Sequence, residues 1–215
     1  MTGETVSAAT VELVEARLAV YRFLLQALAK PTAEQHAWFA GPVFRRALAE
    51  AAEQFGTPPP GEPAVDGPAE HEARYIACFE VGLPAPPVAL LASHYNRREP
   101  ATAVIHEHIL FYRRFGAALS AGNIEPADHL LNELAFLIRL DELYLGGEPA
   151  TSILRARRDF LRRQAARWPA RAAEAAVEQG LPAVYRSLLH LLAAAVAQDL
   201  ELTEAALSEL GEDES

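Results

Sequence analysis

Hydrophobic positions along the chain recur at helical spacing, and no stretch shows the alternation of a strand. The first such segment, Val11 to Ala29, carries apolar residues three or four positions apart until Pro31. Capping residues, glycines and prolines divide the rest of the chain into similar segments. The pattern predicts further helices over residues 33–39, 42–55, 69–81, 101–119, 126–145, 151–168, 169–179 and 182–210, the last as one helix or two. The sequence therefore predicts an all-α fold, a single-domain bundle of about eight to ten helices.

Two segments interrupt this periodicity. Residues 57–68 contain five prolines and two glycines, which predicts a loop or a hinge. The three helices before it are too few to form a core, so we expect one domain over residues 1–215, with residues 1–10 and 211–215 frayed. Residues 83–100 begin with an extended proline-rich run and then lack clear periodicity. A loop this long is typical of a functional segment, and its apolar residues argue against disorder.

Charge balance and cysteine usage exclude several classes of protein. The chain has 19 Lys and Arg against 29 Asp and Glu, a formal net charge of −10. This balance argues against a nucleic-acid partner, because binding phosphates requires a basic face. Cys78 is the single cysteine, so no internal disulfide can form, and a small buried thiol is expected. Residues 1–10 show no secretory signal, and the most apolar stretch, residues 188–197, is too short to span a bilayer. We therefore expect a cytoplasmic protein without membrane insertion.

The common sequence motifs of catalysis are absent. The chain contains no Gly-x-x-x-x-Gly-Lys phosphate loop, no Gly-x-Gly-x-x-Gly and no Gly-x-Ser-x-Gly. His106 and His108 project about 200° apart on a helix, so both cannot bind one ion. Glu125, His129 and Glu133 share a helix face, but no second helix of ligands accompanies them. We expect no metal, no cofactor and no enzyme activity.

The polar start of the helix predicted from residue 126 is the main candidate for binding chemistry. Pro126 takes the first helical position after Glu125 at the N-cap, and Asp128 lies where helix N–H groups are unpaired. His129 follows, and Glu133 lies one turn farther along the same side. An Asp in a first turn is a common capping device, so spacing alone favours capping over a binding role.

The string Glu-Pro-Ala-Asp-His-Leu at residues 125–130 resembles the signature helix of the TorD/DmsD/NarJ family, which are dedicated chaperones of molybdenum enzymes. Residues 75–79 resemble the Tyr-x-x-Leu-Phe element of that family. Residues 160–169 resemble its Phe-Leu…Trp element, although Gln164 stands where the family pattern has a histidine. The run at residues 79–88 is similar to the branch that serves ethylbenzene dehydrogenase, dimethylsulfide dehydrogenase or selenate reductase. The resemblance implies a TorD-like helical fold.

The resemblance also implies a function and a site. Family members bind the twin-arginine leader, or another part, of an apo-molybdoenzyme catalytic subunit and hold it until its cofactor is inserted. Such a leader presents paired arginines beside an apolar stretch. We expect a groove between the 83–100 loop and the helix after Glu125, with Asp128 and Glu125 facing the arginines and His129 adjusting their charge. The other expected site residues are the wall, Tyr75, Leu83, Tyr95 and Tyr112, and the supporting motif residues Pro86, Pro87, Pro126 and Glu133.

Alternatives from other classes stay open at this point. They are a helical adaptor or scaffold that binds a folded partner, and a helical metal- or nucleotide-binding enzyme. The arginine-rich run at residues 155–171 is interpreted as a solvated face that balances the acidic C-terminal region, in preference to a site for an anionic partner. The protein is expected to be a monomer or a domain-swapped dimer, with the proline-rich segment after Gly56 as the hinge.

Overall fold

The computed structural model describes residues 8–59, 67–117 and 125–211. In these ranges the regular structure is helical, apart from one isolated antiparallel bridge between Leu91 and His129, so the all-α fold is confirmed. The α-helices in chain order are α1 (Ala8–Ala27), α2 (Ala33–Ala40), α3 (Pro42–Gln54), α4 (Pro68–Phe79), α5 (Ala92–Tyr95), α6 (Ala101–Arg114), α7 (Leu130–Leu145), α8 (Ala150–Phe160), α9 (Pro169–Glu178) and α10 (Ala183–Glu209). A π-helical turn, Leu161–Ala165, follows α8.

Most helix boundaries follow local signals in the sequence. The Thr32 hydroxyl oxygen accepts a hydrogen bond from the Gln35 N–H, and the Gln35 side chain accepts one from the Thr32 N–H. The predicted capping box at the start of α2 is therefore confirmed. Gly56, just after α3, has a φ of 60°, a left-handed conformation that glycine adopts without a Cβ clash. Pro68 is the first residue of α4, so the predicted loop at 57–68 is one residue too long.

Some predictions fall outside the described residues. These are the centre of the hinge, at residues 60–66, and most of the frayed ends, at residues 1–7 and 212–215. The hinge and the domain-swapped dimer therefore stay predictions. Residues 8–10 were expected to be frayed, but their backbone forms the start of α1.

The helices share one core. α1 packs against α7 and α10, and α8 packs against the same two helices. α10 also packs along α9 and contacts α3, while α2 contacts α3 and α4. Buried hydrophobic side chains from Val14 to Leu207 form one continuous cluster. Helices on both sides of the proline-rich segment contribute to this cluster, which supports the proposal of a single domain.

The central helix, α7, begins four residues later than predicted. His129, and not Glu125, is its N-cap, and His129 Nδ1 accepts a hydrogen bond from the Leu131 N–H at 3.3 Å. The Pro126 carbonyl accepts the His129 N–H at 3.0 Å, which closes a turn before the helix. The Leu130 N–H then bonds to the Leu90 carbonyl at 2.9 Å. The turn and this pairing with the loop hold residues 126–129 outside the helix, so α7 begins only at Leu130.

The segment predicted as one helix over residues 151–168 is divided in the structure. α8 ends at Phe160, the chain widens into the π-helical turn, and Trp168 is the N-cap of α9. Both Gln164 and Trp168 are buried. A hydrophobic repeat does not reveal such a turn, because five residues are too few to define a change of period.

Arg157 lies at the centre of a buried network of charges. Its side chain is 0 % exposed and donates to both carboxylate oxygens of Asp199, at 2.7–2.9 Å, and to Asp141 Oδ1 at 2.9 Å. Arg17 pairs with the same two carboxylates. The Tyr21 hydroxyl donates to Asp199 Oδ2 at 2.6 Å. The network connects α1, α7, α8 and α10.

The arginine-rich run at residues 155–171 therefore has two environments. Its interpretation as a solvated face is wrong for Arg157, whose partners come from the core-facing sides of other helices. Arg162 does pair with Glu204 of α10 near the surface, as the charge pattern suggested. A charge pattern along the chain does not reveal which member of an arginine run points inward.

Candidate functional site

A cavity of about 490 Å³ opens between α4, the loop before α5 and the turn before α7. We call it the proline groove. Its lining consists of Lys30, Tyr75, Phe79, Glu80, Pro84, Ala85, Pro86, Ala89, Leu90, Leu91, His94, Glu125, Pro126 and His129. The groove therefore lies where the sequence placed a binding site, between the proline-rich loop and the polar string at residues 125–130.

Hydrogen bonds to backbone carbonyls hold the walls of the groove. The Tyr75 hydroxyl, on α4, donates at 3.0 Å to the carbonyl of Leu28, just after α1. The Val88 N–H donates to the Cys78 carbonyl at 3.1 Å, which ties the loop to the end of α4. Gly82 permits the tight path between these points, because a Cβ there would clash with the backbone of the loop. These contacts tie the wall of the groove to α4 and to the end of α1.

Glutamates and histidines give the groove a polar rim. Glu125 lies 3.6 Å from His129 Nε2, and Glu80 lies 3.1 Å from the Lys30 ammonium. Burial lowers the pKa of His129, although the Glu125 and Asp128 carboxylates oppose the shift. Since His129 then favours its neutral form, the rim carries two carboxylates against one lysine. The proline groove therefore combines an apolar wall with a mildly acidic edge.

Asp128 does not line the groove, contrary to the expectation that its carboxylate faces a bound arginine. Its side chain is 0 % exposed, and its Oδ2 accepts a hydrogen bond from the Ser93 N–H at 3.0 Å. The Asp128 carbonyl accepts the Ala92 N–H, also at 3.0 Å. The cause is the late start of α7, which leaves Asp128 in the turn beside the loop. Asp128 therefore holds α5 in position from the interior.

The other predicted residues divide between the groove and its surroundings. Tyr112 is buried, and its hydroxyl donates to the Ala127 carbonyl at 2.8 Å, behind the turn. Tyr95 lines a different cavity, and Leu83 is fully exposed without lining the groove. The predicted residues that line the groove are Tyr75, Pro86, Glu125, Pro126 and His129, whereas Leu83, Pro87, Tyr95, Tyr112, Asp128 and Glu133 do not.

Comparison with known protein families matches residues 42–174 to the family described as the nitrate reductase delta subunit. The match covers more than half of the chain. The chain belongs to the nitrate reductase delta subunit family. This membership confirms the resemblance to the TorD/DmsD/NarJ group.

Several curated proteins are similar to part of the chain. The selenate reductase assembly chaperone protein of Thauera selenatis is 36% identical over 101 residues, which is 45% of this chain and 52% of that protein. The perchlorate reductase assembly chaperone protein of Dechloromonas aromatica is 31% identical over 103 residues, 46% of each chain. The chlorate reductase assembly chaperone protein of Ideonella dechloratans is 31% identical over 101 residues, 45% of this chain and 52% of that protein. The chain thus matches about half the length of these relatives, and no solved structure matches it significantly.

Several residues of the groove in this family member were not predicted. Phe79 and Glu80 line it, and both fall in or beside the elements that carry the family resemblance. Lys30 and His94 also line it. Their position depends on how α1 ends and how α5 turns, which the sequence pattern alone does not define.

Glu133, a motif residue, supports the family helix from the core. Its Oε1 lies 2.8 Å from His108 Nε2, and its Oε2 accepts a hydrogen bond from the Trp168 indole N–H at 2.9 Å. His108 Nδ1 lies 2.8 Å from the Val104 carbonyl. Burial alone would lower the pKa of His108, but the hydrogen bond and charge of Glu133 raise it above its usual value. Two acceptors around one imidazole favour the charged form of His108, so a buried ion pair joins α6 and α7. The hydrogen bond from Trp168 joins the α8–α9 junction to the same carboxylate.

The structure also shows where the three possible metal ligands, Glu125, His129 and Glu133, lie. Glu133 faces the core while Glu125 and His129 face the groove, because α7 begins only after His129. Within residues 8–59, 67–117 and 125–211, no three His, Cys, Asp or Glu side chains converge as metal ligands. None of the described helices is both long enough and apolar enough to cross a membrane.

Proposed function

We propose that this protein is an assembly chaperone that binds the apo catalytic subunit of a molybdopterin-dependent oxidoreductase and holds it until the cofactor is inserted. The observation that carries the proposal is the family match, because residues 42–174 include every lining residue of the proline groove except Lys30. The relatives named as reductase assembly chaperones support the same role. The protein acts in the cytoplasm and catalyses no reaction itself.

The proline groove is the proposed binding surface for the twin-arginine leader or another extended segment of the client. Tyr75, Phe79 and Leu90 supply an apolar wall for the apolar part of such a segment. Glu125 and Glu80 at the rim supply carboxylates that can accept two parallel N–H bonds from a guanidinium, which a lysine ammonium cannot offer. In this proposal Glu125 keeps the role expected of it from the sequence, and Glu80 takes the place expected of Asp128.

The proposal is tested by purifying the tagged protein from its native host and identifying what co-purifies. We expect a molybdoenzyme catalytic subunit without its cofactor. A peptide that copies the leader of that subunit is then titrated calorimetrically into the wild type and into the double variant Glu80→Gln/Glu125→Gln. Losing two charge-assisted hydrogen bonds should weaken the affinity by about tenfold.

The matched control is Glu50→Gln/Glu53→Gln, which removes the same charge from α3, outside the groove. Its affinity for the leader peptide should equal that of the wild type. If both double variants bind as the wild type does, the groove is not the binding site. If the protein captures only folded, cofactor-loaded partners, the adaptor alternative replaces the chaperone proposal.

A further inference from the structure

A second cavity, of about 240 Å³, shares α5 with the proline groove. Its floor includes the buried side chains of Gln164 and Trp168. The Tyr95 ring stacks on the Trp168 ring, with 5.5 Å between centroids and 14° between planes. Five exposed arginines form its rim, namely Arg97, Arg98, Arg163, Arg167 and Arg171. We call this cavity the arginine pocket.

The arginine pocket concentrates positive charge in an acidic protein. No carboxylate of the described residues lines it, although the chain has a formal net charge of −10. Arg163 pairs with Glu107 outside the lining, and the other four rim arginines form no ion pair within the described part of the chain. Arg171 donates instead to the Tyr95 carbonyl at 3.0 Å. Like charges around one hollow repel unless an anion neutralises them, so the pocket is suited to an anionic ligand.

The arginine pocket and the proline groove are connected along the surface. A shallow cavity of about 440 Å³ lies between them. It shares His94 with the proline groove and shares Tyr95, Arg97 and Arg171 with the arginine pocket. The three cavities therefore form one track across α5, with Glu80 and Glu125 at one end, a single carboxylate, Glu174, beside the shallow cavity, and the arginines at the other end.

We infer that the arginine pocket binds acidic side chains of the same client segment whose basic end occupies the proline groove. The inference rests on the proposed function. The occupant is an extended peptide with arginines, an apolar middle and then Asp or Glu residues, because that order matches the charges along the track. Each carboxylate accepts paired N–H bonds from a guanidinium, while the apolar middle crosses α5. The track thus selects clients by two charges of opposite sign at a fixed separation.

Continuity of the track favours a peptide over a free small anion. A phosphate-sized ligand would need only the arginine pocket and would gain nothing from His94, which lines the shallow cavity and the proline groove but not the arginine pocket. A peptide in the proline groove is already held close to the arginines, so its acidic end binds as an intramolecular step. The two occupants are distinguished by whether acidic residues add affinity to a groove-binding peptide.

The test uses fluorescein-labelled peptides with two arginines, an apolar spacer of about four, seven or ten residues, and an Asp-Asp-Glu end. Each has a matched peptide that ends in Asn-Asn-Gln. Fluorescence anisotropy at low ionic strength gives the affinities for the wild type and for Arg97→Gln/Arg98→Gln. The control is Arg45→Gln/Arg46→Gln, which removes another adjacent pair of exposed arginines, on α3 and outside all three cavities.

For the best spacer, we expect the wild type to bind the acidic-ended peptide about fivefold to tenfold more tightly than its matched peptide. Arg97→Gln/Arg98→Gln should remove most of that preference. Arg45→Gln/Arg46→Gln should leave both affinities unchanged.

The results separate this inference from the proposed function. Equal wild-type affinity for the two peptides at every spacer length would overturn the inference while leaving the groove proposal standing. Saturable binding of inorganic pyrophosphate, without any gain from the acidic end, would identify a small-anion site and would also overturn it. If no peptide binds at all, both the groove proposal and this inference fail.

Discussion

Asp128 shows how one buried carboxylate can position residues of the proposed binding surface without lining it. Its carbonyl and its Oδ2 accept the N–H groups of Ala92 and Ser93, both in the first turn of α5. These N–H groups have no intrahelical partner, and the carboxylate also lies near the positive end of the helix. Since α5 contributes to both the proline groove and the arginine pocket, Asp128 positions residues of both.

We predict that Asp128→Ala lowers the free energy of unfolding by about 1–3 kcal/mol, because the Ser93 N–H is left without its acceptor. Asp128→Asn keeps an acceptor oxygen and should cost less. Urea unfolding followed by circular dichroism measures both changes. Asp159→Ala, which removes a partly exposed carboxylate paired with Arg158, is the control and should change stability by no more than about 0.5 kcal/mol. An equal loss in Asp128→Ala and Asp159→Ala would contradict this account.

The same residues show what local sequence rules could not supply. The Glu-Pro-x-Asp-His string was visible as a special site, and proline at a first helical position was a sound local rule. The rule failed at Pro126 because Leu90 and Ala92, more than thirty residues earlier, pair with Leu130 and Asp128. Only the tertiary contact decides where the helix begins, and with it whether Asp128 faces solvent or the interior.

At the scale of elements, α2 and α4 meet through a pair of histidines. His36 Nδ1 lies 3.4 Å from His71 Nδ1, and the His71 ring packs on the Phe39 ring with centroids 4.4 Å apart. Burial, together with the positive charges of His36 and Arg74, lowers the pKa of His71 to about 4. His71 is therefore neutral in the folded protein at neutral pH.

We predict that acid weakens the α2–α4 contact through His71. The folded-state pKa lies below the usual value of 6.5, so its contribution to stability is complete above pH 6.5. The contribution is lost as the pH falls from 6.5 towards about 4, because in this range His71 binds a proton in the unfolded chain but stays neutral in the folded chain. Melting temperatures measured across this range should fall less steeply for His71→Phe than for the wild type.

The exposed His106 provides the comparison for this prediction. His106→Gln should follow the pH dependence of the wild type. If His71→Phe shows the wild-type slope as well, His71 is not the group responsible.

Helix positions were largely predictable because glycine, proline and capping residues act over a few positions. Thr32 with Gln35 and the Gly41–Pro42 pair defined α2 and α3 without help from the rest of the chain. The π-helical turn after Phe160 was not predictable, because a turn of five residues is too short to appear as a change in the apolar repeat. Its effect is nevertheless large, since it brings Trp168 over Glu133 and under Tyr95.

At the scale of the whole molecule, the network around Arg157 joins helices that are distant in sequence. Asp141 and Asp199 lie 16 and 42 residues from Arg157, and Arg17 lies 124 residues from Asp141. Burial alone would raise the pKa of Asp199, but the charges of Arg157 and Arg17 lower it below its usual 3.8. Such partners could not be inferred from spacing, which is why the sequence suggested a solvated arginine.

We predict that Arg157→Ala lowers the free energy of unfolding by about 3–5 kcal/mol, because two buried carboxylates lose their main partner. Denaturant unfolding at pH 7 measures the loss. Arg162→Ala, which breaks the pair with Glu204 nearer the surface, should cost no more than about 1 kcal/mol.

The Asp199 contribution to stability is complete above pH 3.8 and is lost below it, so wild type and Arg157→Ala should converge in stability in strong acid. A loss for Arg157→Ala no greater than that for Arg162→Ala would contradict the role of the network.

The stacked pair beneath the arginine rim gives the protein an optical reporter of its own. The chain has two tryptophans, and Trp38 packs at a distance from this region, against Phe23 and Phe44. A Trp38→Phe chain would carry its only indole at Trp168, hydrogen-bonded to Glu133 below and covered by Tyr95 above. Any ligand that moves the Tyr95 ring would change the polarity and quenching around that indole. Emission from the unlabelled protein would then record occupancy of the arginine pocket in real time.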